Sequence, residues 1–133
     1  MAKSKDYDTR DVKNQKIELG KLLKECREER SLRNVAAAVG LSPSNLKYIE
    51  DGVNAPSPEI YIKLMHELEP KGTVKKDIEH AYMLIRQAPP PDVCKVITDN
   101  EKLNDSLRIL EGHILTQQQL KELDALLNSF LSN

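Results

Sequence analysis

The stretch SLRNVAAAVGLSPSNLKYIEDG, from Ser31 to Gly52, constrains this chain more than any other. It holds two helix starts and a helix stop in quick succession. The hydroxyl of Ser31 can accept a hydrogen bond from a free backbone N–H of a first helical turn, and Gly40 suits the left-handed conformation that ends a helix. Ser42 then precedes Pro43, which has no N–H to leave unpaired and a φ already suited to the first helical position. Leu41 and Leu46 are spaced as a hydrophobic staple across that second start. The stretch therefore predicts two short helices joined by a tight turn. Val35, Ala36 and Val39 form the apolar face of the first helix, and Leu46 and Ile49 that of the second. Ala36 is small enough to let the two cross closely. Ser44, Asn45, Lys47 and Tyr48 are left on the outward face of the second helix.

The flanks read as further helices. Residues 1–13, beginning MAKSKDYDTRD, carry no apolar pattern and are expected to form a flexible tail. A scaffold helix follows, from about Asp11 to Glu29, with Leu19, Leu23 and Cys26 at core spacing. Downstream, Ser57 and Pro58 restart a helix that carries Ile60, Leu64 and Leu68. Thr73 is placed to cap another helix, running to about Gln87, with Val74, Ile78, Ala81, Tyr82 and Ile85 on one side. There is no sustained alternation of apolar and polar residues, aromatic residues make up 4%, and the fold class expected is all-α.

The order Ala36, Gly40, Leu46, Ile49, Glu50, Gly52 resembles the helix-turn-helix of the lambda repressor and Cro superfamily, the Xre family. The resemblance takes in LGKLLKECRE upstream and APSPEIYIKLMHEL downstream, roughly Leu19 to Leu68. It implies a five-helix lambda repressor-like DNA-binding domain over residues 14–88, followed by a short C-terminal helical segment. It also implies a structural ion pair between Arg27, late in the first helix, and Glu50, which closes the recognition helix. In such a domain the second helix of the motif lies in the major groove of double-stranded DNA. Pro43, Ser44, Lys47 and Tyr48 stand at the positions that usually read bases. Many relatives carry glutamine where Pro43 stands, and proline cannot grip a base, so reading shifts to Lys47, Tyr48 and Ser44. Ser42 and Arg33 are candidates for flanking contacts, while Asn45 can face either groove or phosphate.

APPPD is the clearest boundary in the sequence. Prolines 89–91 stop a helix and favour a stiff connector, so residues 89–92 are expected as a linker and 93–133 as a separate C-terminal segment. That segment offers Val93, Val96 and Ile97, then a helix from about Asn100 to Glu111 with Leu103, Leu107 and Leu110. A last helix starts at Thr116, which with Gln119 forms a capping box, and presents Leu120, Leu123, Leu127 and Phe130. About forty residues cannot bury so many leucines alone. They either dock on the first domain or pair with a second copy of the chain. In the second case they form a homodimer with two recognition helices one DNA turn apart.

Charge tempers the DNA reading. The formal net charge is −1 and the pI about 6.3, and residues 1–70 hold twelve basic and twelve acidic side chains. Arg30, Arg33 and Lys47 are then either a local positive face or ordinary solvated charges. His66, His80 and His113 have no metal-ligand spacing around them, and there is no Cys-x-x-Cys, glycine-rich phosphate loop or nucleophile elbow. No enzyme activity, metal or cofactor is expected. Cys26 and Cys94 read as buried thiols of a reducing, cytoplasmic compartment. No run is apolar enough for a membrane span. The function expected is a sequence-specific transcriptional regulator, a dimeric repressor of phage or mobile-element type. The resemblance further implies control by a protein antirepressor or a protease. The competing function is a protein-interaction module with a helix-turn-helix fold, such as an antitoxin or adaptor.

Overall fold

The computed structural model describes residues 9–132, and they are all-helical. The elements are α1 (Thr9–Arg27), α2 (Leu32–Val39), α3 (Pro43–Glu50), α4 (Pro58–Leu68), α5 (Gly72–Arg86), α6 (Pro91–Asp99), α7 (Leu103–Arg108) and α8 (Gln117–Leu131). The chain divides into two compact units, one ending at Asp99 and one running on from Asn100.

Local chemistry explains the helix starts. Ser31, Ser42 and Ser57 each accept a hydrogen bond from the backbone N–H three residues on, at 3.0, 3.2 and 3.2 Å. Pro43 and Pro58 occupy the first positions of α3 and α4. Gly40 ends α2 at φ 77°, and its N–H and that of Leu41 satisfy the carbonyls of Ala37 and Ala36.

In the first unit, α1 packs along α5 and crosses α3, while α2 packs on α3 and α4. The core comprises Leu19, Leu22 and Leu23 of α1, Val35, Ala36 and Val39 of α2, and Leu46 and Ile49 of α3. Tyr61 and Leu64 of α4 and Ile78, Ala81 and Tyr82 of α5 complete it. The rings of Tyr61 and Tyr82 stack with centroids 3.8 Å apart. Arg86 lies over the Tyr82 ring and donates to the carbonyl of Pro56, tying the end of α5 to the loop before α4.

Four features differ from expectation. Residues 9–13, expected in the flexible tail, belong to α1, where half-buried Val12 lies two turns before Leu19 on the apolar stripe; residues 1–8 of that tail lie outside the described residues. Thr73 does not cap α5. The helix starts at Gly72, with Lys71 at the capping position and no side-chain cap. The prolines stop α5, at Gln87, but Pro91 opens α6 instead of continuing an extended connector. A proline needs no N–H partner at a first helical position, and the carbonyl of Pro90 accepts from Val93 and Cys94. Finally, the helix expected over Asn100–Glu111 contracts to α7, flanked by turns.

In the second unit, Thr116 and Gln119 form a reciprocal capping box, at 3.1 and 2.9 Å. No residue of α7 or α8 is buried. Among the described residues no helix is long and apolar enough to cross a membrane.

Candidate nucleic-acid interface

The outward face of α3 is built on its contact with α1. Gly20 sits where α1 meets the end of α3: a Cβ there would collide with the carbonyl oxygens of Ile49 and Glu50. Gly52, at φ 78°, repeats the close approach, with Ile17 Cα 2.6 Å from the position of an added Cβ. The first of these glycines was not legible as structural, since a glycine inside a helix pattern signals only a weak point.

Beside that contact Arg27 and Glu50 meet as a bidentate pair. Arg27 Nε donates to Glu50 Oε2 at 2.8 Å and Nη2 donates to Oε1 at 3.0 Å. Nη1 donates to the carbonyl of Arg30 at 2.7 Å. The side chains are 16% and 5% exposed. Hydrogen bonding to Glu50 raises the Arg27 pKa further, against the opposing effect of partial burial. The pair fixes the end of α3 to the end of α1.

With its inner face held, α3 exposes Ser44, Lys47 and Tyr48. Ser42 and Pro43 are exposed at its start. The Ser42 oxygen already accepts from the Asn45 N–H, which leaves the hydroxyl proton as the group to donate outward. Asn45 is turned toward a groove of about 620 Å³ that Lys16 and Asn54 also line. These three side chains are thus on one side of α3. Arg33 is exposed in the first turn of α2. Arg30 is not free for phosphate: its Nη2 donates to Glu67 Oε1 at 2.6 Å and to Asn34 Oδ1 at 2.7 Å, bridging α2 to α4.

Lys47 carries a complication that sequence spacing could have revealed. Its Nζ lies 3.1 Å from Asp51 Oδ2, one turn further on. Both side chains are well exposed, so the pair adds little stability. It does set an acidic group beside the one lysine of α3.

Residues 18–68 match the family model of a helix-turn-helix domain. This stretch is a helix-turn-helix domain. It covers less than half of the chain, and it contains α2 and α3 with the scaffold on either side. Neither curated proteins nor solved structures gave a match to the chain. The helix-turn-helix domain suggests a DNA-binding regulator.

The residues expected to dimerise are not gathered into a buried cluster. Leu103 and Leu110 are half-buried in and after α7, and Leu107 is exposed. Leu120, Leu123, Leu127 and Phe130 are 39–65% exposed along one side of α8. Of the two thiols expected to be buried, Cys26 is partly so, packed against the core, and Cys94 is exposed, on a helix that buries none of its residues.

Proposed function

We propose that the protein is a sequence-specific double-stranded DNA-binding transcriptional regulator with a lambda repressor-like reading head, without catalytic activity. The observation that carries this reading is the helix-turn-helix domain over residues 18–68, with Ser44, Lys47 and Tyr48 exposed on its second helix. Ser44, Lys47 and Tyr48 read base edges, with lysine suited to guanine. Ser42, Asn45 and Arg33 contact flanking phosphates. Pro43 sets the start of the helix without reading a base.

Two copies act together in this proposal, paired through the apolar side of α8, as a cytoplasmic repressor of phage or mobile-element type. A dimer doubles the phosphate contacts and so offsets a net charge of −1. A protein antirepressor or protease that engages the same helices would release the DNA. The ion pair of Lys47 with Asp51 favours a second reading, a helix-turn-helix module that binds another protein, because it weakens the positive face of α3.

A titration of the full chain against the DNA flanking its own gene, with excess random duplex at two salt concentrations, tests the proposal. Saturable binding that exceeds the competitor and weakens steeply with salt is expected. Lys47→Ala should weaken it by about 1–3 kcal/mol and relax preference at one base pair. Weak affinity for every duplex even at low salt would favour the protein partner.

A further inference from the structure

The apolar side of α8 is not uniform along its length. Leu120, Leu123, Leu127 and Phe130 recur at intervals of three, four and three residues, as the inward positions of two heptads do. The positions flanking such a seam are Gln119 and Asp124 in the first heptad and Leu126 and Leu131 in the second. The apolar face is therefore narrow where α8 starts and wide where it ends. No side chain of α8 is buried, and Leu126 and Leu131 are 52% and 85% exposed. Lys121 and Glu122 lie off the seam, which leaves Asp124 as the charged residue beside it. The capping box at Thr116 supports the start of the helix, but a helix of this length is marginal in water until one face is packed.

Two copies of α8 can pair along this seam in two orientations, and the flanks distinguish them. In a parallel pair Leu126 of one copy meets Leu131 of the other, and Asp124 meets Gln119. The wide half then packs on the wide half, and no like charges oppose each other. In an antiparallel pair with Leu120 opposite Phe130, Asp124 faces its own copy across the twofold axis and Leu131 meets Gln117. Like charges are then set together, and the most exposed leucine of the helix is left against a polar side chain.

We propose that α8 pairs in parallel with α8 of a second copy of this chain, with Leu126 and Leu131 sealing the C-terminal half of the seam. The inference rests on the dimer proposed above and adds its orientation and two residues outside the four seam positions. A parallel pair starts both helices at the same end, so both preceding chains enter from one side, which suits two reading heads on one DNA duplex.

The test is disulfide mapping in the full chain, beside sedimentation over a concentration series. Ser132→Cys places a thiol just past the end of α8 and Gln117→Cys places one at its first residue, and both leave the apolar face intact. The fifteen residues of α8 span about 22 Å, so a disulfide forms only between ends that lie together. Oxidised Ser132→Cys is expected to link the two 132 positions, identified by peptide mass spectrometry apart from any bond through Cys26 or Cys94. Mixed with Gln117→Cys, it should give no bond between positions 117 and 132. Leu131→Gln should raise the dimer dissociation constant about tenfold, and Asp124→Asn should leave it unchanged. A dimer that links 117 to 132, or that tightens in Asp124→Asn, overturns the parallel orientation while the dimer stands. A dimer that forms neither bond and is indifferent to Leu131→Gln pairs through another surface, which also overturns the inference. A chain that stays monomeric at every concentration overturns the dimer reading and this inference with it.

Discussion

At the scale of the residue, the most consequential pair is Arg27 with Glu50. Glu50 is the more buried partner, so removing the arginine strands a carboxylate away from water, whereas removing the glutamate leaves an arginine that can still reach solvent. Arg27→Ala should cost about 3–5 kcal/mol and Glu50→Ala less, as urea unfolding will measure. The thiols give a second prediction. Burial, reinforced by Glu25 and Glu28, pushes the Cys26 thiol above its ordinary value of 9.0. A raised folded-state pKa means the stability held by the neutral thiol is fully present below that ordinary value and is lost as pH rises above it. In the native protein at pH 8, a thiol reagent should label exposed Cys94 rapidly and Cys26 slowly. The two rates should converge in denaturant. Exposure at Cys94 was not legible in the sequence, because a nine-residue amphipathic helix has the same apolar spacing whether or not a neighbour covers it.

At the scale of the element, capping chemistry carries most of what could be read in advance. Ser31, Ser42 and Ser57 act within one turn of their own positions, so their hydrogen bonds depend on nothing distant. Thr73 shows the limit of that logic: a capping residue type next to a glycine lost the position, and α5 starts without a side-chain cap. Gly20 shows the opposite limit. Helix propensity favours alanine there, but the carbonyls of Ile49 and Glu50 occupy the space that a Cβ needs, and backbone atoms do not rotate away. Gly20→Ala should therefore destabilise the domain by about 1–3 kcal/mol or more, read as a lower urea midpoint with an unchanged m-value.

At the scale of the whole molecule, α8 presents Leu120, Leu123, Leu127 and Phe130 at three- and four-residue intervals, with none of them buried. This is the spacing of a helix-pairing seam. Under the proposed dimer, sedimentation of the full chain gives twice the monomer mass, and Leu123→Asp with Leu127→Asp gives the monomer with the helix-turn-helix domain still folded. An unchanged mass would move the pairing surface elsewhere. The sequence by itself determined the helix starts and stops, the turn at Gly40 and the apolar faces that meet in the core. Those signals are local or periodic, and the residues that produce them lie within a few positions of their effect. Tertiary structure alone decided that Gly20 must stay a glycine, that α6 belongs with the first unit despite the prolines, and that the Tyr61 hydroxyl is buried with no hydrogen-bond partner among the described residues. Close approach and loss of water depend on atoms far apart in the chain, which no local pattern encodes.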